Sequence, residues 1–185
     1  MKTAIMTLKS VAPYSQSRKI QSAREDRETA DDHEHRCWRE RLHVNGDGLV
    51  FIPPMAFKNC LAETAKFLSV QIPGKGKATY TKHFEAGLLI TDPLVLDIRG
   101  KDVEGEWLFV PGDGRRGSGK RVNKCFPVIP RWAGDVTLYI LDEAITEPVL
   151  KYHAEQAGKF IGVGRFRPRN NGFYGRFEVV SLVME

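Results

Sequence analysis

The sequence predicts an α+β fold in which an antiparallel sheet carries two helices on one face. Three observations lead there. Residues 136–141 form a dense apolar run of strand length. Residues 54–69 and 146–158 each have helix signals at their ends. Each helical stretch lies between strand-like stretches, so the chain makes two β-α-β passages.

Taken in order, residues 3–11 alternate loosely and read as a first strand, with Ile5 and its i±2 neighbours toward the core. Residues 16–34 hold few large apolar side chains and nearly balanced charges, which marks a solvated insertion. Residues 35–44 alternate in polarity, the turn signal Asn45-Gly46-Asp47-Gly48 follows, and 49–52 return, which predicts a hairpin. Pro53 and Pro54 open a helix whose apolar positions Phe57, Leu61, Ala65 and Leu68 share one face, and which ends near Ser69. Residues 84–90 and 94–98 read as strands around Thr91-Asp92-Pro93. Residues 107–110 and 122–129 flank a basic loop as a long arm, within an insertion spanning 99–132. After the strand at 136–141, Thr146 is placed to cap a helix that Gly158 closes. Residues 159–180 then supply two last strands joined at Asn171-Gly172. This order fits one ferredoxin-like or RRM-type domain over residues 1–185, with basic hairpin and loop insertions and one sheet face left for a ligand.

Composition narrows the function. Apolar residues make up 42% and charged residues 28%, a globular balance, and the formal net charge of +5 suits a polyanionic partner. Three widely spaced cysteines argue against a disulfide framework and for a reducing compartment. No apolar run reaches the ~18–20 residues that span a bilayer, and residues 4–8 are interrupted too early for a secretory signal. These features lead us to expect a cytoplasmic, soluble protein with no membrane partner.

The positive charge is concentrated in glycine-containing segments, as a phosphate-tracking groove requires. Lys75, Lys77 and Lys82 lie in 74–83 without an acid. Arg115, Arg116, Lys120, Arg121 and Lys124 lie in 112–124 against Asp113. The C-terminal segment joins Gly162, Gly164, Gly172 and Gly175 to Lys159, Arg165, Arg167, Arg169 and Arg176, with no acid before Glu178. A turn centred on Asn171-Gly172 would set Arg167 opposite Arg176, a like-charge pair that an intervening phosphate would relieve.

Other chemistry finds less support. Residues 114–121 nearly spell a P-loop, but Arg121 stands where the magnesium-holding hydroxyl belongs and a strand follows, so nucleotide hydrolysis is excluded. His33, His35 and Cys37 would share a strand face without a fourth ligand, and no metal or cofactor is assigned. Asp31 and Asp32 form the one paired carboxylate in a loop suited to magnesium. No Ser/His/Asp or Cys/His arrangement follows from the spacing, and no catalytic residue is assigned. Trp38, Tyr80, Phe84, Trp107, Phe173 and Tyr174 lie near basic segments and include candidates for base stacking.

The pattern from Gly162 to Phe177 resembles the glycine-rich loop of the RAMP superfamily, the RRM-like backbone subunits of CRISPR effector complexes. The stretch from Phe51 to Lys58, a strand entering a helix with a lysine near its start, looks like that family's first βα passage. The resemblance covers roughly a third of the chain. It implies a non-catalytic subunit that grips guide-RNA phosphates through Lys58 and loop 162–176. It also implies a thumb-like insertion at 112–124 or 74–83, and partners that are other effector-complex subunits or copies of the same chain. The aspartate of the family's cleaving members has no alignable counterpart here. A virus-encoded mimic that inhibits such a complex, a single-stranded DNA-binding or annealing protein, and a metal-dependent ribonuclease using Asp31 or Asp32 stay open as alternatives.

Overall fold

A computed structural model describes every residue of the chain except Arg116 and Ser118. Its main sheet has four antiparallel strands. β1 (Lys2–Ser10) lies inside it, paired on one side with β8 (Ala133–Ile140) and on the other with β9 (Phe177–Met184). The two-residue β4 (Leu88–Leu89) adds to the far side of β8, giving the order β4-β8-β1-β9. Two helices, α2 (Pro54–Leu68) and α4 (Glu147–Gln156), lie in the chain between β1 and β4 and between β8 and β9. That connectivity and strand order make a ferredoxin-like α+β core, as expected.

The core forms because the strand pattern has period two and the helix pattern 3.6. On β1 the buried positions are Ala4, Met6 and Leu8, while Ile5 is 48% exposed. The expectation that Ile5 faces the core is therefore off by one residue, and a one-residue shift inverts a strand's faces. From β8 come Val136, Leu138 and Ile140; from α2, Phe57, Cys60, Leu61 and Ala65; from α4, Leu150 and Ala154. Phe57 meets Trp132 and Phe177 with ring centroids 6.1 and 6.3 Å apart, tying the helix layer to the sheet. α2 starts with Pro54 in its first turn and ends at Ser69, whose φ of 49° is left-handed and whose hydroxyl donates to the Lys66 carbonyl.

Two further pieces are built onto this core. One is a three-stranded sheet in the order β2-β7-β6, made by β2 (Tyr14–Ser15), β6 (Glu104–Pro111) and β7 (Arg121–Ile129). The β6–β7 pair is the expected arm, in register from Glu104 opposite Val128 to Pro111 opposite Arg121. The other is a short pair of β3 (Leu49–Ile52) with β5 (Leu94–Arg99).

Three local expectations are corrected. The expected strand 35–44 is instead helix α1 (Ala30–Cys37) followed by a 3-10 turn, Trp38–Arg41. Thr29 caps it by accepting the Asp32 N–H at 3.1 Å, and Asp31 and Asp32 occupy the first turn, where carboxylates suit the helix dipole. The partly or fully buried positions Glu34, Cys37, Trp38 and Arg41 fall at helical spacing, which the alternation of polarity concealed. The expected strand 84–90 shrinks to β4 because Thr81–Ala86 forms a short helix, α3. The C-terminal hairpin does not form. After α4 the chain makes a π-helical turn, Ala157–Ile161, so Gly162 with φ 70°, and not Gly158, ends the helix. Residues 163–176 then run as an irregular loop, and β9 enters the sheet alone.

Candidate nucleic-acid interface

Loop 162–176 is held by backbone hydrogen bonds from several directions. The Val163 N–H donates to the Gly175 carbonyl at 3.0 Å and the Tyr174 N–H to the Phe166 carbonyl at 3.0 Å. Gly175 donates to Pro13 at 2.7 Å and Arg165 to Ser15 at 2.8 Å, which fixes the loop against the chain around β2. Its far end is a 3-10 turn, Pro168–Asn170, closed by Asn171 in the left-handed region at φ 61°. Asn171-Gly172 therefore does mark a turn, but one wound as a helix rather than a two-residue hairpin. Gly175 shows why small residues are required here: at φ 71°, a Cβ added to it would lie 1.8 Å from the Val163 carbonyl oxygen.

The arginines of this loop divide by partner. Arg165 donates to Ser15 Oγ at 3.1 Å and to Glu106 Oε2 at 3.2 Å, and its guanidinium lies 4.0 Å over the Phe126 ring. Burial pushes its pKa below the ordinary arginine value, opposed by the charge of Glu106. Arg167 sits 2.7 Å from Glu63 on α2 and donates to the Gly162 carbonyl at 3.3 Å. It does not face Arg176, which is bonded instead to the Lys159 carbonyl at 3.3 Å. The expected charge conflict is thus absent. Arg169 is exposed and only loosely paired with Glu63, at 3.8 Å. Glu63 and Glu106 escaped sequence reasoning because each acts across the fold, the first from a stretch read only as helix and the second from just before the strand read at 107–110.

Lys58 is also engaged within the chain. Its ammonium donates to the carbonyls of Phe84 at 2.5 Å and Glu85 at 2.8 Å, satisfying the C-terminal end of α3. Burial lowers its pKa, against the pull of Glu85.

The remaining predicted cations project from two protrusions. Lys75 and Lys77 lie exposed on a tight turn whose Gly74 and Gly76 have φ of 75° and 60°, closed by the Ile72 N–H donating to Ala78 at 2.8 Å. Lys82 is exposed on the following helix. At the end of the arm, Arg115 and Lys120 are exposed, and Arg121 donates to the Phe109 carbonyl at 2.8 Å beside that residue's ring. Arg116, predicted among these contacts, lies outside the described residues. The arm root and the glycine loop meet where Glu106 accepts from both Arg165 and, at 3.3 Å, the Tyr174 hydroxyl.

The open face of the sheet offers different chemistry. On its two central strands the outward positions are Thr3, Ile5, Thr7 and Lys9 of β1 and Asp135, Thr137 and Tyr139 of β8. An RRM sheet stacks bases on aromatic side chains of its central strands; Tyr139 is the one such ring at these positions. Among the described residues, no group of three His, Cys, Asp or Glu is arranged to hold a metal ion. Asp31 accepts from Asn123 at 3.0 Å and Asp32 from Thr29 at 2.6 Å, and His35 stacks on Trp107 at 4.0 Å between centroids. No helix of the described residues is long and apolar enough to cross a membrane.

No family model matches the chain, and neither does any curated protein. Among solved structures, it is similar to a chain of the cryo-electron-microscopy structure of the Type III-B Cmr-beta bound to cognate target RNA. That match has a TM-score of 0.54 and 10% sequence identity, over 99% of this chain. The chain spans 60% of the length of that one. At such identity the likeness is one of fold.

Proposed function

We propose that this chain is a non-catalytic RNA-binding subunit of a CRISPR-type ribonucleoprotein, gripping guide-RNA phosphates and assembling with neighbouring subunits or copies of itself. The observation that carries the reading is the exposure of Lys75, Lys77, Arg115 and Lys120 on two glycine-shaped protrusions, with Lys82 exposed on the helix that follows the first. Cations so placed contact a phosphate backbone by charge and position, without reading bases. The fold shared with a chain from an RNA-bound Cmr-beta structure supports the same direction. Arg165, Arg167 and Lys58 then act as internal braces, and the phosphate contacts fall to the protruding cations with Arg169 and Arg176.

The test is a salt titration of binding to matched single-stranded RNA and DNA oligonucleotides. RNA is expected to bind more tightly. Lys75→Ala and Lys77→Ala should each reduce the slope of log affinity against log salt by about 0.7. Equal RNA and DNA affinity would favour a general single-strand binder, and no RNA affinity at low salt would exclude the proposal.

A further inference from the structure

Phe166 has φ 54°, a left-handed conformation that bulky residues seldom adopt. Elsewhere the loop meets positive φ with glycine, at 162, 164 and 175, and with asparagine, which tolerates it, at 171. At 166 it keeps an aromatic ring, and that ring is not buried: Phe166 is 41% exposed and Phe173 is 52% exposed. Their centroids lie 5.7 Å apart in an edge-to-face arrangement. Tyr174 is buried beneath them, 5.9 Å from Phe166 and 4.5 Å from Phe173, with its hydroxyl anchored on Glu106. The strained backbone is pinned as well. A Cβ at Gly172 would lie 1.9 Å from the Phe166 carbonyl oxygen, so the absence of a side chain there lets the two strands of the loop close. A loop folding for its own stability would turn these rings inward. This one holds two phenyl rings outward on a rigid base, with the exposed Arg169 three residues away. Strain that the surroundings hold in place points to a use for the group it presents.

We infer that Phe166 and Phe173 form a stacking platform for an unpaired base of single-stranded RNA, with Arg169 meeting the adjacent phosphate. This rests on the RNA-binding reading above and adds a second component to it. Base–aromatic stacking contributes affinity that does not depend on counterion release, whereas the lysine protrusions contribute through salt-dependent contacts.

The experiment separates the two. Single-stranded RNA carrying 2-aminopurine at successive positions is titrated with the full chain at several salt concentrations. At one or more positions the wild-type protein should change 2-aminopurine fluorescence. Phe173→Leu and Phe166→Leu should each weaken binding roughly tenfold, abolish that signal and leave the salt slope unaltered, while Phe173→Trp restores both. Because Phe166→Leu also alters a strained position, its thermal melt is compared with wild type, and Phe173→Leu carries the test if Phe166→Leu fails to fold. Unchanged affinity and fluorescence in Phe173→Leu would overturn the platform. If the Lys75 and Lys77 variants still lower the slope in that case, the platform alone falls. If the wild-type chain binds no RNA at low salt, both readings fall.

Discussion

Arg167 is held 2.7 Å from Glu63, so the loop carrying it is clamped to helix α2 and not to the strand that follows. The pair is partly solvated, with 19% and 36% of the two side chains exposed, which places it near the modest end of ion-pair energies. Arg167→Ala is expected to lower the unfolding free energy by about 1 kcal/mol in urea titration. It should leave the salt slope of RNA binding unchanged. A slope reduced as much as in Lys75→Ala would show that Arg167 contacts phosphate after all.

Glu34 and Arg41 form the buried counterpart. Two guanidinium bonds of 2.7 and 2.8 Å join them, the Cys125 N–H donates to the same carboxylate at 2.9 Å, and Arg41 Nε donates to the Cys125 carbonyl at 3.0 Å. Helix α1 is thereby locked to the arm. Glu34→Ala leaves a shielded guanidinium and a backbone donor without partners. It should cost about 3–5 kcal/mol in chemical unfolding. A loss below 1 kcal/mol would mean that the arm detaches at little expense.

Gly175→Ala would drive a methyl group into the Val163 carbonyl, whereas Gly48, also at positive φ with 80°, has nothing within 4 Å of an added Cβ. The two substitutions share the backbone penalty and differ in the clash. Gly48→Ala should cost about 1 kcal/mol, and Gly175→Ala at least about 3 kcal/mol. Equal melting temperatures for the two variants would contradict the close approach.

Glu40 has a pKa lowered from 4.5 to about 2, first by the Ser22 hydroxyl and then by the backbone N–H groups of Gln21 and Ser22. Because the folded value lies below the unfolded one, its contribution is present above pH 4.5 and is lost as the pH falls toward 2. The stability gap between wild type and Glu40→Gln should therefore narrow across that window in urea titrations at successive pH values. A gap independent of pH would remove Glu40 as an anchor for residues 21–22.

Legibility in the sequence followed the range of the interaction. Pro54, the α2 stripe and the apolar run of β8 act within a few residues, and these elements appear where their patterns place them. The alternation at 35–44 misled because Glu34 and Arg41 are buried as a pair, so hydrophobicity alone misses the helix period they complete. The Asn171-Gly172 signal located a turn correctly, but the π-helical turn before it rotated the chain out of the strand register it would have needed.

The sequence by itself determined the α+β class, the two helices and the concentration of cations in glycine-rich segments, because propensity, period and charge are local properties. Only the tertiary structure decided which cations are free. Lys58, Arg165 and Arg167 are engaged by carbonyl and carboxylate partners 26, 59 and 104 residues distant in the chain, whereas Lys75, Lys77, Arg115 and Lys120 reach solvent. A cation's availability depends on what the fold brings beside it, and no local pattern encodes that.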